Sequence, residues 1–309
     1  MKPDFTKTLY VLAPLAGWTD LPFRQTVKKF GVDLTVSEMI SSNALVYHSQ
    51  KTFKMIEKSP LEKPYSVQIA GSDIDIIKRA VGELNLIDGI DGIDLNCGCP
   101  APKIVKNGSG STLLKDLDLL EKIVQTINNE SDKSYTSVKM RIGFDQKNGV
   151  DIAKAIESGG ADFVAVHGRT KSGGYKSIID YEEIAKIKEE VNIPVIANGD
   201  ITSYQIAHEV LRITKADGLM IGRGVMGNPW IFKQLKEGKE NLSLDEKSEI
   251  ILEHFDNMIE FHGGHGAVLF RKHLHNYSKG YQGASSFRDL INRISDVEEA
   301  RETIVRFFT

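Results

Sequence analysis

Two thiols, Cys97 and Cys99, are the residues of this chain whose types and spacing most strongly indicate chemistry. They lie in the stretch Asp94-Leu95-Asn96-Cys97-Gly98-Cys99-Pro100, in which an apolar run typical of a buried strand ends in a turn forced by glycine and proline. A thiol on such a turn lies at the carboxyl end of a strand, where parallel α/β folds place their reacting groups. We therefore expect Cys99 to be the reactive thiol. Cys97 alternates away from Asn96 and is interpreted as a small packed hydrophobic residue.

Polar residues also end the other strand-like runs of the chain. A purely structural core would place Val, Leu and Ala at these points, so a set of amides and cations indicates a polar ligand at one shared edge. The residues concerned are Gln68, Asn96, Lys139, Arg141, His167, Arg169, Asn198 and Arg223. His167 taken alone is equally typical of a hydrogen-bonded core histidine.

Two glycine-containing turns, Asn198-Gly199-Asp200 and Gly222-Arg223-Gly224, follow the last two strand-like runs. Barrels often bind phosphate at these two positions through backbone N–H groups, a helix N-terminus and a cation. A glycine that merely terminates a strand is the simpler interpretation of either turn alone. The occurrence of both turns at the expected strands favours a phosphate site.

Lys139 and Arg141 alternate with Val138, Met140 and Ile142, so the two cations share one face of a strand. In an edge strand that face would simply be solvated. In a barrel strand it points inward, where an unpaired cation costs several kcal/mol. A bound anion or an electron-rich ring would offset that cost.

The elements that must position these residues follow a βα period. Short apolar runs alternate with helix-length segments about eight times, which predicts parallel strands joined by crossover helices. In 73–86, for example, Ile74, Ile77, Val81 and Leu84 form one apolar stripe. The spacing predicts a TIM (β/α)8 barrel, and a doubly wound sheet is the weaker alternative. The predicted strands are 8–13, 33–37, 64–70, 92–96, 136–142, 162–167, 194–198 and 217–221.

The pattern changes after the barrel-like region, and the remainder is predicted to be all-helical. We place a catalytic domain at 1–238 and a helical domain at 239–309. The chain has 309 residues and a formal net charge of -3, which predicts no strong overall attraction to a polyanion. Two cysteines one residue apart exclude a disulfide framework and a structural zinc site. Without a leader-like or membrane-spanning run, we expect a cytoplasmic monomer that binds no metal.

Several motifs in order resemble those of the tRNA-dihydrouridine synthases, and the bacterial B-type branch is the most similar. The resemblance spans the whole chain. The matching motifs are Pro14-Leu15-Ala16-Gly17-Trp18-Thr19-Asp20-Leu21-Pro22-Phe23-Arg24, Ser37-Glu38-Met39, Val67-Gln68-Ile69, Asn96-Cys97-Gly98-Cys99-Pro100-Ala101-Pro102-Lys103, Lys139-Met140-Arg141, His167-Gly168-Arg169-Thr170, Asn198-Gly199-Asp200-Ile201 and Ile221-Gly222-Arg223-Gly224-Val225-Met226-Gly227-Asn228-Pro229-Trp230.

The resemblance implies a flavin enzyme with FMN as cofactor and NADPH (or NADH) as electron donor, which reduces the C5–C6 double bond of particular uridines in tRNA. It implies that Cys99 is the proton donor. Asn96, Arg141 and Arg169 would contact flavin or the target uracil. The residues that it places at the cofactor are Pro14, Leu15, Ala16, Gln68, Lys139, His167, Asn198, Gly199, Asp200, Gly222 and Arg223.

The segment from Phe261 to Arg288 has no acidic residue, although the helical region as a whole is not strongly basic. It contains Arg271, Lys272, Lys279 and four histidines, interleaved with Phe270, Tyr277 and Tyr281. Such a local patch is typical of RNA-binding surfaces, and we expect Arg271 and Lys272 to contact tRNA. A helix with a solvated basic face is the alternative. A flavin barrel acting on a free pyrimidine, similar to dihydroorotate dehydrogenase, and a tRNA-binding protein without turnover remain alternative functions.

Overall fold

A computed structural model describes residues 1–238 and 242–309 as a closed parallel barrel followed by a group of helices. The predicted domain boundary between 238 and 239 adjoins residues 239–241, which lie outside the described residues. The strands are β1 (Leu9–Leu12), β2 (Leu34–Val36), β3 (Ile40–Ser41), β4 (Tyr65–Ala70), β5 (Gly92–Cys97), β6 (Tyr135–Arg141), β7 (Phe163–His167), β8 (Val195–Asn198) and β9 (Gly218–Ile221).

The sheet closes on itself because β2 pairs with both β1 and β4, and β1 also pairs with β9. Every pairing is parallel, as expected for strands covered by helices on their outer face. The predicted TIM barrel is confirmed, and each predicted strand matches an observed one. The sequence reading did not anticipate β3, a two-residue strand that pairs with the end of β4.

The longer helices between the strands cover the barrel because they carry an apolar stripe. In α4, Ile77, Val81 and Leu84 are fully buried, which confirms the predicted stripe. The helices are α1 (Leu21–Lys28), α2 (Ser42–Val46), α3 (Gln50–Met55), α4 (Ile74–Asn85), α5 (Pro102–Lys106), α6 (Leu117–Glu130), α7 (Gly149–Ser158), α8 (Tyr181–Glu190), α9 (Tyr204–Thr214), α10 (Ile231–Glu237), α11 (Leu244–His262), α12 (His265–Tyr277), α13 (Ala284–Ile291) and α14 (Val297–Phe308).

The hydrophobic core is divided into three regions. A large shell lies between the strands and their helices. A smaller cluster that includes Val11, Phe163 and Met220 fills the barrel interior and forms the floor beneath its carboxyl end. The third cluster holds α11 to α14 together and takes in Trp230 from the segment before α10. Across residues 1–238 and 242–309, no helix has the length and apolarity needed to cross a membrane.

Candidate active site

A cavity of about 560 Å³ opens at the carboxyl ends of the strands, and it collects most of the residues expected to form the site. Its wall combines apolar side chains from the loop after β1 with a ring of polar groups. Of the predicted site residues, those lining the cavity are Pro14, Leu15, Ala16, Gln68, Asn96, Cys99, Lys139, Arg141, His167, Asn198, Gly199, Asp200, Gly222 and Arg223. Arg169, Arg271 and Lys272 are not part of its lining.

Strand register brings these side chains to two adjacent levels of the barrel, one with Asn96 and Lys139 and one with Arg141, His167 and Asn198. Asn96 is paired with Lys139, and Arg141 is paired with His167, which in turn is paired with Asn198. Because side chains alternate along a strand, paired residues on neighbouring strands point to the same side of the sheet. The polar ring is therefore fixed by the barrel itself and not by its loops.

A chain of hydrogen bonds beneath the cavity connects a buried carboxylate to the Cys99 turn. Asp94 Oδ2 accepts from Gln68 Nε2 at 2.7 Å, and Asp94 Oδ1 accepts from the Ser137 hydroxyl at 2.6 Å. Gln68 Oε1 then accepts from Asn96 Nδ2 at 2.8 Å. Asn96 Oδ1 accepts from the backbone N–H of Cys99 at 2.9 Å. The carboxylate thus sets the orientation of both amides, and Asn96 fixes the turn that carries the thiol.

The two cysteines lie in different environments. Cys99 is partly exposed and lines the cavity, whereas Cys97 is fully buried in the shell between strands and helices. Burial raises the pKa of Cys97 well above its usual value, so that this thiol stays protonated and inert. The expectation that Cys97 is a packed hydrophobic residue is confirmed.

The loop after Cys99 packs closely on it. The Cys99 carbonyl accepts from the N–H of Ser111 at 3.1 Å. A Cβ added at Gly110, whose φ is +62°, would lie 2.9 Å from the same carbonyl oxygen. The glycine is therefore required by both the backbone conformation and the close approach. Asn96 on one side and this loop on the other hold the backbone of Cys99 in place.

Lys139 projects into the barrel, as the alternation of its strand predicts. Its ammonium donates to Asn198 Oδ1 at 3.1 Å, and Asn198 donates through Nδ2 to the carbonyl of Met220 at 2.7 Å. Burial, together with Arg141, lowers the pKa of Lys139 to about 8. Burial and the nearby Lys139 and Arg141 also hold the pKa of His167 far below its usual range. His167 therefore presents a neutral imidazole to the cavity.

Asp200 is held by two arginines at the rim of the cavity. Arg169 Nη2 lies 2.6 Å from Asp200 Oδ2, and Arg223 donates to Oδ1. The hydrogen bond from Arg169 contributes most to lowering the pKa of Asp200. Arg169 is 5% exposed and also donates to the carbonyl of Ser177 at 2.6 Å. Arg169 thus reaches the cavity through Asp200, and its predicted contact with flavin or uracil stays a prediction.

Tyr175 lines the cavity, although the motifs did not point to it. It lies in the loop after β7, where the Arg223 guanidinium is 4.6 Å and that of Arg141 is 5.6 Å from its ring centre. The side chain is 55% exposed and so presents an aromatic face at the mouth. An isolated aromatic residue directly after Gly173 and Gly174 is the only sequence signal that could have revealed it.

The apolar side of the cavity is supported by a buried arginine. The N–H of Leu15 donates to the Thr19 hydroxyl at 2.9 Å, and the Thr19 carbonyl accepts from Arg24 Nη1 at 2.9 Å. Arg24 Nε also donates to Glu62 Oε1 at 2.8 Å, and both side chains of this ion pair are 0% exposed. The resemblance assigned no role to Arg24, which here braces the loop that carries Pro14, Leu15 and Ala16.

The basic segment of the helical region is only partly a surface. Phe270 and Tyr277 lie on the inward face of α12, are 0% and 4% exposed, and belong to the helical core. The expectation that they interleave with cations on an RNA-binding face is therefore wrong, because helical periodicity turns them inward. Arg271 donates to the carbonyl of Ile294 at 2.7 Å. Lys272 donates to the carbonyl of Gly17 in the loop after β1.

No group of three or more His, Cys, Asp or Glu side chains arranged to hold a metal ion occurs in the described parts, 1–238 and 242–309.

Comparisons with known proteins agree with this architecture. The family model described as "Dihydrouridine synthase (Dus)" matches residues 11–309. A probable tRNA-dihydrouridine synthase of Helicobacter pylori strain 26695 is 52% identical over 307 residues, covering 99% of this chain and 94% of the relative. tRNA-dihydrouridine synthase B of Pseudomonas syringae pv. tomato is 41% identical, covering 97% of this chain and 91% of the relative.

A solved structure of 6-hydroxypseudooxynicotine amine oxidase from Pseudomonas geniculata N1 shares the fold. It superposes with a TM-score of 0.58 at 14% identity and covers 74% of this chain and 47% of that one. Similarity at this level supports the barrel fold alone.

Proposed function

The chain belongs to the dihydrouridine synthase family, and from that premise we propose that it reduces the C5–C6 double bond of specific uridines in tRNA, with FMN as cofactor and NADPH or NADH as electron donor. The observation that carries the proposal is the half-buried Cys99 thiol in a cavity at the barrel mouth that also contains a ring of buried amides and cations.

The residues of the cavity fit a flavin. Pro14, Leu15 and Ala16 provide an apolar wall for a ring system, and Gln68 and Lys139 provide polar groups at its edge. Lys139 is a half-buried cation that donates a hydrogen bond to Asn198, and a cation withdrawn from water is stabilised by an electron-rich ligand. A bound flavin would supply the hydride that reduces the pyrimidine ring.

A phosphate fits less simply at the rim. The backbone N–H groups of Gly199 and Asp200 donate to no backbone carbonyl within the described residues, which leaves them available to an anion. Arg223 provides a cation there, but the carboxylate of Asp200 partly neutralises it. We propose that Arg169 offsets this by holding the Asp200 carboxylate away from the phosphate position.

Cys99 is proposed to protonate C5 of the uracil. Reduction of the C5–C6 bond adds a hydride to one carbon and a proton to the other, so an acid must face the ring from the opposite side. A cysteine thiol is one of the side chains that can act as a general acid. Lys139 and Arg141, which line the same cavity, would stabilise the negative charge that develops on the uracil oxygen.

A nucleotide in RNA can reach this cavity only if its base leaves the stack, which favours uridines in loops over those in duplexes. The helical domain is proposed to hold the rest of the tRNA. It lies beside the mouth, since its Lys272 contacts the loop after β1. If the substrate were a free pyrimidine instead, the helical domain beside the cavity mouth would have no role in binding it.

The proposal is tested by mass spectrometry of tRNA from a strain in which the gene is deleted. We expect at least one dihydrouridine to be lost, and the wild-type gene to restore it. Purified protein should carry a flavin absorbance spectrum and should oxidise NADPH in the presence of unmodified tRNA. Unchanged dihydrouridine content would reject the proposal. Turnover on orotate or free uracil, without turnover on tRNA, would favour the free-pyrimidine enzyme instead.

The assignment of the acid is tested with a matched pair of variants. Cys99→Ala is expected to retain flavin binding but to lose about 10²–10⁴-fold of uridine reduction, the usual contribution of a general acid. Cys97→Ala removes a thiol two residues away that does not reach the cavity, so its reduction rate is expected to stay close to wild type. Equal losses in the two variants, or no loss in Cys99→Ala, would move the acid elsewhere.

A further inference from the structure

Gly17 lies at the tip of the loop after β1, directly after the residues that form the apolar wall of the cavity. Its φ of +73° is in the left-handed region, and a Cβ added there would meet no atom within 4 Å. The peptide groups on both sides of Gly17 are nevertheless occupied. The N–H of Gly17 donates to the Glu38 carboxylate, and its carbonyl accepts from the ammonium of Lys272. One glycine is thus clamped by two charged groups of opposite sign.

The two partners come from different parts of the molecule. Glu38 follows β2 and is 7% exposed within the barrel domain. Lys272 lies on α12 of the helical domain, with its ammonium 5.7 Å from the centre of the Trp18 ring. The next residue of α12, His273, places its ring against the same Trp18 at 5.0 Å. The helical domain therefore holds the loop by a charged hydrogen bond, a cation–π contact and a ring contact.

A third attachment lies at the far end of the loop. Asp20 caps helix α1 by accepting from the N–H of Phe23 at 3.2 Å, and its other oxygen lies 2.9 Å from His262 Nε2 at the end of α11. Both the tip and the end of the loop are therefore fixed to the helical domain. Between these two points, the N–H of Leu15 donates to the Thr19 hydroxyl at 2.9 Å, which links the apolar wall to the fixed part of the loop.

We propose that Lys272 is a positioning residue for the flavin-binding wall, and that the helical domain completes the cofactor pocket in addition to meeting the RNA. This inference rests on the proposed function, because it assigns the flavin to the cavity. Loss of the clamp leaves the loop free to leave its binding conformation. The apparent affinity for flavin then falls in proportion to the fraction of molecules that keep the loop in place.

The proposal differs from the sequence-based expectation that Lys272 is an RNA contact. A lysine that neutralises one phosphate changes the affinity for tRNA and lowers the salt dependence of binding by about one unit of slope. A lysine that holds Gly17 changes the affinity for free FMN when no RNA is present. These two measurements separate the roles.

The experiment compares Lys272→Met with Lys54→Met in the full-length protein. Lys54 is a matched control, because it too connects the two domains: its ammonium donates to the carbonyl of Phe261 at 2.8 Å and lies 4.7 Å from that residue's ring centre. Lys54 does not line the cavity. FMN affinity is measured by quenching of flavin fluorescence on addition of protein stripped of cofactor.

We expect Lys272→Met to weaken FMN binding about five- to ten-fold, the value of one charged hydrogen bond with partial exposure. Lys272→Arg, which keeps a donor, is expected to recover most of it, and Lys54→Met to bind FMN as wild type does. Unchanged FMN affinity in Lys272→Met, with wild type binding FMN, would overturn the proposal, and so would an equal loss in Lys54→Met. A wild-type protein that binds no FMN would instead overturn the proposed function.

Discussion

Replacing Arg24 by Met is expected to destabilise the protein strongly and to loosen the cavity wall as well. Arg24 is 0% exposed and forms an ion pair with Glu62, which is also 0% exposed. It additionally donates to the carbonyls of Thr19 and Glu57. The Met side chain fills a similar volume but leaves the buried Glu62 carboxylate, the buried Thr19 carbonyl and the part-buried Glu57 carbonyl without this donor.

The magnitude follows from the desolvation of the partner that remains. Removing one member of a buried ion pair typically costs about 3–5 kcal/mol, because an uncompensated charge stays in the interior. At about 2–4 °C per kcal/mol, this corresponds to a loss of roughly 6–20 °C in the midpoint of thermal unfolding. The Arg24→Met/Glu62→Met double variant removes both charges and is expected to recover part of the loss.

The assay is thermal unfolding followed by circular dichroism at pH 7, with FMN affinity measured at 20 °C. Arg212→Met is the matched control: Arg212 makes an equally close ion pair with Glu209, 2.6 Å between Nη2 and Oε1, but both side chains are more than half exposed. Exposed pairs contribute about 0–1 kcal/mol, so this variant is expected to unfold near the wild-type temperature. Similar midpoints for the Arg24 and Arg212 variants would refute the reasoning.

Two further predictions concern a buried charge and a pair of glycines. The pKa of Lys139 is lowered by burial to about 8, so the folded state holds this proton less tightly than the unfolded chain. The free energy of unfolding of the wild type therefore falls as the pH falls from 10.5 through 8, because the unfolded chain takes up the proton first. Cofactor-free Lys139→Met is therefore expected to gain stability over wild type at pH 7 and to lose that advantage by pH 10.5; a difference that does not vary with pH would contradict this. Gly199→Ala is expected to cost about 1–3 kcal/mol in denaturant unfolding, since φ is +141° and the new Cβ would lie 2.4 Å from Ile179 Cδ1. Gly82→Ala, in the exposed interior of α4 with no atom within 4 Å of its Cβ, should instead stabilise by about 0.5–1 kcal/mol, and a loss there would count against the reasoning.

The barrel could be predicted from sequence because its strands are buried on both faces. Runs such as Phe163-Val164-Ala165-Val166 are continuously apolar, without alternating polar residues, which is typical of such strands. Their ends are marked by a change to polar residues. Parallel pairing then brings all carboxyl ends to one edge. The strand-end residues other than Arg169 therefore predicted much of the cavity lining without knowledge of any contact, whereas Tyr175 was missed.

The remaining features depend on contacts between residues distant in sequence. The buried partner of Arg24 is Glu62, 38 positions away, in a segment with no motif. Arg169 and Asp200 lie in separate strand-end motifs, and the ion pair between them could not be read from either motif alone. The composition of Phe261 to Arg288 predicts aromatic residues on a basic surface, but the helical period of α12 turns Phe270 and Tyr277 into the helical core.

The bond between Lys272 and Gly17 joins residues 255 positions apart, and this separation bears on how the protein is made. At about 5–20 residues per second, the loop after β1 is synthesised roughly 13–50 seconds before Lys272. The loop after β1 can therefore be fixed by Lys272 only after most of the chain, including helix α12, has been synthesised. We expect the nascent barrel to release flavin readily, and lasting cofactor capture to be one of the final steps of biogenesis.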